Sequence, residues 1–149
     1  CDTILEYTQM NKPLLGICLG MQILLTTGRE FGNHKGLGLI EGDVVKISNI
    51  KNNKVKIPHV GWNAVSPSND KQSWSNKILN VSLIGKSFYF VHSYMAVTKN
   101  PSSTLGSCDY LGKNIPSIIS SGNILGCQFH PEKSGKNGLD FLRNFCEMN

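Results

Sequence analysis

Five residues, Gly16-Ile17-Cys18-Leu19-Gly20, constrain this chain more than any other stretch. Ahead of Cys18 runs Leu14-Leu15-Gly16-Ile17, short and apolar throughout, the pattern of a strand buried on both faces. Behind it, residues 19–27 read as a helix, with Leu19, Ile23 and Leu24 on one side. A cysteine between strand and helix occupies a tight, strained bend, the thiol form of the G-x-S-x-G elbow. Side chains at the flanking glycines are expected to collide with neighbouring elements. The helix N-terminus is expected to favour thiolate over thiol, and the Leu19 N–H to face a developing oxyanion. The competing reading is a structural cysteine closing a core strand.

Helix, buried strand, sharp turn and helix is α/β grammar. A helical pattern at residues 2–7 is closed by Lys12-Pro13, since proline cannot continue a helix. After the glycine-rich stretch 28–38 the pattern changes. Residues 39–48, 55–65, 86–98, 104–110, 115–121 and 124–130 have strand character. Turn formers separate them: Asn52-Asn53, Asn100-Pro101, Gly112-Lys113-Asn114 and Ser121-Gly122-Asn123. A last helix is expected over 138–146, apolar at Leu139, Leu142 and Phe145. The expectation is a single α/β domain over 1–149 with a parallel core and a β-rich extension.

Composition excludes several functions. With 40% hydrophobic residues in 149, the chain can bury a core without disulfides. Its five cysteines are odd in number and lack a repeated short spacing, which suits reduced thiols in the cytoplasm. No apolar run approaches the roughly 20 residues that cross a bilayer, so no membrane partner is expected. The net charge of +5 permits anionic partners. The nearest basic cluster, Lys51, Lys54 and Lys56, is interleaved with Asn and Val and reads as a solvated hairpin, not a nucleic-acid surface. The histidines show no metal-ligand spacing, and Gly36-Leu37-Gly38 leads into a strand instead of a helix. No metal or cofactor is expected. The chain opens on Cys1 within a helical pattern and without a signal-peptide pattern, so a longer protein is expected to extend before it.

A thiolate nucleophile needs a general base, and the base needs an orienting group. Of His34, His59, His92 and His130, the last stands at the end of the apolar run Ile124-Leu125-Gly126-Cys127-Gln128-Phe129. Open α/β sheets build their sites at such strand ends. Pro131 stiffens the turn and Glu132 lies within reach of the imidazole. His-Pro-Glu alone is weak; with the elbow it makes a Cys-His-Glu triad.

At this point the chain resembles the class I, triad-type glutamine amidotransferases, carrying GICLGMQ (16–22) and GCQFHPEKS (126–134). The segments GLGLIEGDVVK (36–46), IPHVGWN (57–63) and YFVHSY (89–94) narrow the resemblance to glutaminase subunits of imidazole glycerol phosphate synthase. It runs along the whole chain in order. The resemblance implies a three-layer α/β sandwich with a central, mostly parallel sheet and a β-rich C-terminal half. It implies Cys18 as nucleophile, His130 as base and acid, and Glu132 as its partner, releasing ammonia and glutamate from glutamine.

Leu19, Gly20, Gln22, Glu30, Ser93 and Tyr94 match substrate-contacting positions, Glu30 less securely because of the preceding Gly28-Arg29. Ordinary strand packing is the other reading of Ser93 and Tyr94, and a solvent-facing helix residue that of Gln22. The partner implied is a (β/α)₈-barrel cyclase in a heterodimer, which turns the ammonia into imidazole glycerol phosphate and AICAR in histidine biosynthesis. His59, Val60, Gly61, Trp62 and Lys133 match positions facing that cyclase; a core tryptophan is the other reading of Trp62. Family members begin with two β–α units, roughly 60 residues at about 30 each, whose loop donates a second oxyanion N–H. Without them the chain as written is expected to fold poorly or be inactive, since losing one such donor costs about 10²–10³ in rate.

Three other readings stay open: ammonia supplied to a nucleotide-sugar or surface-glycan synthase, a stand-alone γ-glutamyl hydrolase, and a non-catalytic partner-binding subunit with a vestigial triad.

Overall fold

A computed structural model describes residues 2–47, 56–68 and 79–147. The Asn52-Asn53 turn, Lys51, Lys54 and Cys1 lie outside the described residues.

Helix α1 (Asp2–Gln9) ends where Asn11 takes a left-handed conformation, and Pro13 then starts the extended chain. Strand β1 (Leu14–Ile17) and helix α2 (Leu19–Ile23) flank Cys18 as the sequence predicts, although α2 stops well short of Thr27. The glycine-rich stretch forms the short strands β2 (Thr27–Gly28) and β3 (His34–Lys35). There follow β4 (Gly42–Lys46), β5 (His59–Pro67), β6 (Lys86–His92), β7 (Tyr94–Thr98), β8 (Thr104–Tyr110), β9 (Lys113–Ser121) and β10 (Ile124–Cys127). Helix α3 (Gly135–Cys146) closes the chain.

Six strands form one sheet in the order β1-β10-β9-β8-β5-β6, and four form a second in the order β3-β2-β4-β7. The expected mixed α/β fold is present, but its sheets are less parallel than expected. Among the described residues only β1 with β10 and β2 with β4 run parallel. The connections explain this. Leu111-Gly112, with φ of 54° and 77°, joins β8 to β9 as a two-residue hairpin, and such a turn can only make antiparallel neighbours. The turn therefore sits one position earlier than Gly112-Lys113-Asn114. The segment 86–98 is two strands, not one: at Ser93 the chain leaves the six-stranded sheet and enters the other.

Neighbouring Ile118 and Ile119 of β9 feed different cores on opposite faces of the large sheet. One face packs Phe88, Phe90, Phe129 and Phe141, with the rings of Phe88 and Phe129 stacked 4.2 Å apart. The other carries α2 and the small sheet, through Met21, Leu24, Val44 and Ala96. Layers of helix, sheet and helix-plus-small-sheet result. In α3 the core residue is Phe141, fully buried, whereas Leu139 is exposed, contrary to expectation. Gly138 explains the register: a Cβ there would lie 1.8 Å from the Pro131 carbonyl oxygen. Only glycine lets α3 pack on the turn after His130.

Candidate active site

Cys18 has φ 52° and ψ −105°, a strained conformation for a residue with a Cβ. Its N–H donates to the Cys127 carbonyl at 2.8 Å, which ties the elbow to the adjacent parallel strand. Gly16 is required here, since a Cβ would meet the Gly20 carbonyl group at 2.6 Å. Gly20 is not: a Cβ there would meet nothing within 4 Å. The expectation that both flanking glycines avoid collision therefore holds for one of them.

His130 reaches the same edge by register. Ile17 pairs with Cys127, so the thiol and the imidazole both follow the C-terminal ends of neighbouring parallel strands. The His130 N–H donates to the Tyr89 carbonyl at 2.9 Å. Ser134 locks the turn, its Oγ donating to the His130 carbonyl and accepting from the Tyr89 N–H. Side chain and orienting group meet as the sequence predicts: His130 Nδ1 lies 2.7 Å from Glu132 Oε1. That bond places a proton on Nδ1 and leaves Nε2 free as an acceptor.

The thiol itself donates to the Val91 carbonyl at 3.9 Å and accepts from Gln128 Nε2 at 3.7 Å. Burial pushes its pKa above the ordinary value. The Leu19 N–H and the Gln128 amide pull it back, Glu132 adds to the rise, and Lys133 opposes it. The Leu19 N–H at the helix start favours thiolate as expected, but burial outweighs it and the net direction is upward. Helix α2 is only five residues long, and desolvation outweighs its termini.

Gln128 is the site residue that the sequence reading missed. Fully buried, it donates its NH₂ to the sulfur and accepts at Oε1 from Gln22 Nε2 at 3.2 Å. The signal was a lone polar residue inside an apolar run, which burial obliges to find partners. Gln22 is half-buried, not solvent-facing, and also donates to the Tyr94 carbonyl at 3.1 Å. Leu19, Gln22 and Glu30 line one cavity of about 240 Å³, with Ile23, Phe31 and Val44. Arg29 turns away to pair with Asp43, while Glu30 faces the cavity. Ser93 contributes its carbonyl to the Ile47 N–H at the sheet crossing.

The five positions matched to a partner surface do not share a face. Strand β5 alternates, so Val60 and Trp62 are exposed while His59 is wholly buried. His59 and Gly61 point to the opposite side from Trp62, which packs edge-to-face on Tyr89 at 6.0 Å on the outer surface. Lys133 is exposed beside Glu132.

The sequence profile of the family described as Glutamine amidotransferase class-I matches residues 1–148. The chain belongs to the class-I glutamine amidotransferase family. It is 42% identical over 149 residues to the imidazole glycerol phosphate synthase subunit HisH 1 of Legionella pneumophila (strain Lens), across 99% of this chain and 70% of that protein. To the HisH subunit of Pyrococcus furiosus it is 44% identical over 147 residues, across 97% of this chain and 69% of the relative. Two solved structures share the fold. A putative GMP synthase component from Thermoplasma acidophilum superposes with a TM-score of 0.59 at 24% identity, over 97% of this chain and 61% of that one. A glutamine amidotransferase from Thermotoga maritima also gives 0.59, at 17% identity, over 98% of this chain and 52% of its own. The chain thus spans only part of each, 61% and 52% of their lengths.

Proposed function

We propose that the protein is the glutaminase subunit of an imidazole glycerol phosphate synthase, working in the cytoplasm in a heterodimer with a barrel-shaped cyclase. What supports this most is the pairing of the Cys18 elbow with the hydrogen-bonded His130 and Glu132 at the ends of two parallel strands, in a chain so similar to HisH proteins.

In this reading His130 Nε2 takes the thiol proton, which a thiol held above its ordinary pKa cannot shed unaided at neutral pH. The sulfur attacks the side-chain amide carbon of glutamine, and the Leu19 N–H stabilises the oxyanion of the tetrahedral intermediate. His130 returns its proton to the amide nitrogen, ammonia leaves, and a γ-glutamyl thioester remains on Cys18. Water, losing a proton to His130, attacks the thioester; glutamate departs and the thiol reforms. Glu132 keeps the proton on Nδ1 and offsets the imidazolium charge. Glu30, facing the cavity, suits the α-ammonium of the substrate. Ammonia passes to the partner across the surface that carries Val60, Trp62 and Lys133.

The test is glutamate release from glutamine by the full-length protein, with and without the cyclase and its ribonucleotide ligand. The expected result is release that requires the cyclase and vanishes in Cys18→Ala. Full release without the cyclase would replace this reading with a stand-alone hydrolase. Release that persists in Cys18→Ala would remove the nucleophile assignment.

A further inference from the structure

Behind the active site lies a buried pair of histidines that the triad does not use. His59 is wholly buried and His92 nearly so, directly opposite each other on β5 and β6. His59 is sandwiched between the rings of Tyr110 at 3.9 Å and Phe90 at 4.8 Å.

The hydrogen bonds around the pair can be counted. Asn63 Nδ2 donates to the Asp109 carbonyl at 2.8 Å, which turns Asn63 Oδ1 towards His59 Nε2, also at 2.8 Å. His59 Nε2 must therefore carry a proton. At the other end His92 Nδ1 faces the Tyr94 carbonyl at 2.8 Å and must carry one too. Between them His59 Nδ1 and His92 Nε2 stand 2.9 Å apart. Two neutral imidazoles bring two protons, and these three contacts need three. Every neutral arrangement that keeps both outer bonds leaves two acceptors face to face.

Burial opposes the extra proton. It lowers the pKa of His59 and pushes His92 down to about 4, with charges on His59 and His130 adding to the effect. Against burial stands the central contact, which a third proton converts from a clash of lone pairs into a bond. The aromatic faces of Phe90 and Tyr110 also favour an imidazolium between them. Of the other groups nearby, the Asp109 carboxylate is engaged by the Gly112 N–H and the Tyr110 hydroxyl by the Lys56 carbonyl.

The Tyr94 carbonyl that receives His92 also receives Gln22 Nε2, which holds Gln128 Oε1, whose NH₂ points at the Cys18 sulfur. We propose that His59 and His92 share one extra proton and act as positioning residues for Cys18, fixing the Tyr94 carbonyl and through it the Gln22 and Gln128 amides. The inference rests on Cys18 being the nucleophile. An imidazolium donor makes the bond to Tyr94 charge-assisted and hard to displace. With that carbonyl fixed, the Gln128 amide cannot flip without losing its bonds to both Gln22 and the sulfur.

The first test uses the unaltered full-length protein with ¹⁵N-labelled histidine. The expected spectrum at neutral pH has three protonated nitrogens across the His59 and His92 rings, one of them averaged between the rings. Two neutral rings, each with a bare nitrogen, would overturn the proposal. The second test follows iodoacetamide alkylation of Cys18 against pH, read on its own peptide by mass spectrometry. His92→Leu removes the donor to Tyr94 and should slow alkylation at neutral pH by about three- to tenfold, with the profile moved to higher pH. His92→Asn retains a neutral donor at the Nδ1 position and should recover part of the rate, the charge-assisted share being lost. Equal slowing in both variants would reduce the pair to a packing role and overturn the proposal. Neither readout depends on glutamine turnover, so failure here is distinct from glutamate release surviving in Cys18→Ala.

Discussion

Cys18 sits on a backbone bent to φ 52°, half-buried, its sulfur held by two long contacts of 3.9 and 3.7 Å. Behind it, His59 lies on a regular strand, closed off from solvent, both ring nitrogens engaged at 2.9 and 2.8 Å. The elbow gives up local stability to expose a reactive atom, and nothing short of neighbouring backbone keeps it bent. The ribbon of β5 and β6 is regular: the two strands pair from His59 with His92 to Val65 with Lys86, and aromatic rings pack around His59, which suits a rigid support. Reactivity and rigidity are thus placed in different strands, linked by the Gln22 and Gln128 amides.

The largest expected contrast is in activity without stability. His130→Gln removes the base while its backbone N–H still bonds the Tyr89 carbonyl, so the turn should survive. Glutamate release by the full-length complex should fall about 10²–10⁴-fold. The midpoint of chemical denaturation should barely move. A large loss of stability instead would mean that the imidazole, too, is a structural support, and the division between the two regions would blur.

Stability without chemistry comes next, at the glycines. Gly16→Ala forces a Cβ onto the Gly20 carbonyl group and should cost about 1–3 kcal/mol in denaturant titration. Gly20→Ala meets open space and should be neutral or stabilising by up to about 1 kcal/mol, as alanine suits a helix better. In the ribbon, Asn63→Leu strands the proton of His59 Nε2 in a buried place and should cost about 1–3 kcal/mol. Its outward neighbour Ala64, exposed on the same strand, should tolerate Ala64→Ser within about 0.5 kcal/mol. Equal costs at both positions would show that burial of one face is not what holds the ribbon.

How far these features were legible in the sequence follows the range of the interactions. The elbow was legible because an apolar run, a cysteine and two glycines lie within seven residues, and strand 104–110 because turn formers bound it. The His130–Glu132 bond spans two residues and was also within reach. Gln128 was not, since its partners Cys18 and Gln22 are more than a hundred residues away and pair only through the β1–β10 register. The facing of His59 was decidable in principle: alternate residues of a strand cannot share a face, so His59, Val60, Gly61 and Trp62 could never form one surface. What the sequence hid was which half of them is buried. The mostly parallel sheet failed for a related reason. A family resemblance describes the whole sheet, whereas the strands described here are joined mainly by short turns, and short turns make antiparallel pairs.

The smallest effect concerns charge at the elbow alone. Lys133 pulls the Cys18 pKa down and Glu132 pushes it up, both against the larger influence of burial. Lys133→Gln should therefore move the alkylation profile of Cys18 to higher pH, lowering the thiolate fraction and the rate at any pH below its midpoint. Glu132→Gln should move it the other way, even as it weakens the hold on His130 and lowers glutamate release. Lys133 is solvent-exposed, so its influence should shrink as salt is raised from low to near 1 M, where the screening length falls to about 3 Å. The Gln128 amide is buried and in contact with the sulfur, so its contribution should persist at the same salt. A profile equally salt-sensitive in the Lys133→Gln variant would place the control of the thiol in surface charge generally. One that loses its salt dependence with the lysine would divide that control between a screened surface cation and an unscreened buried amide, the same division of labour that separates elbow from ribbon.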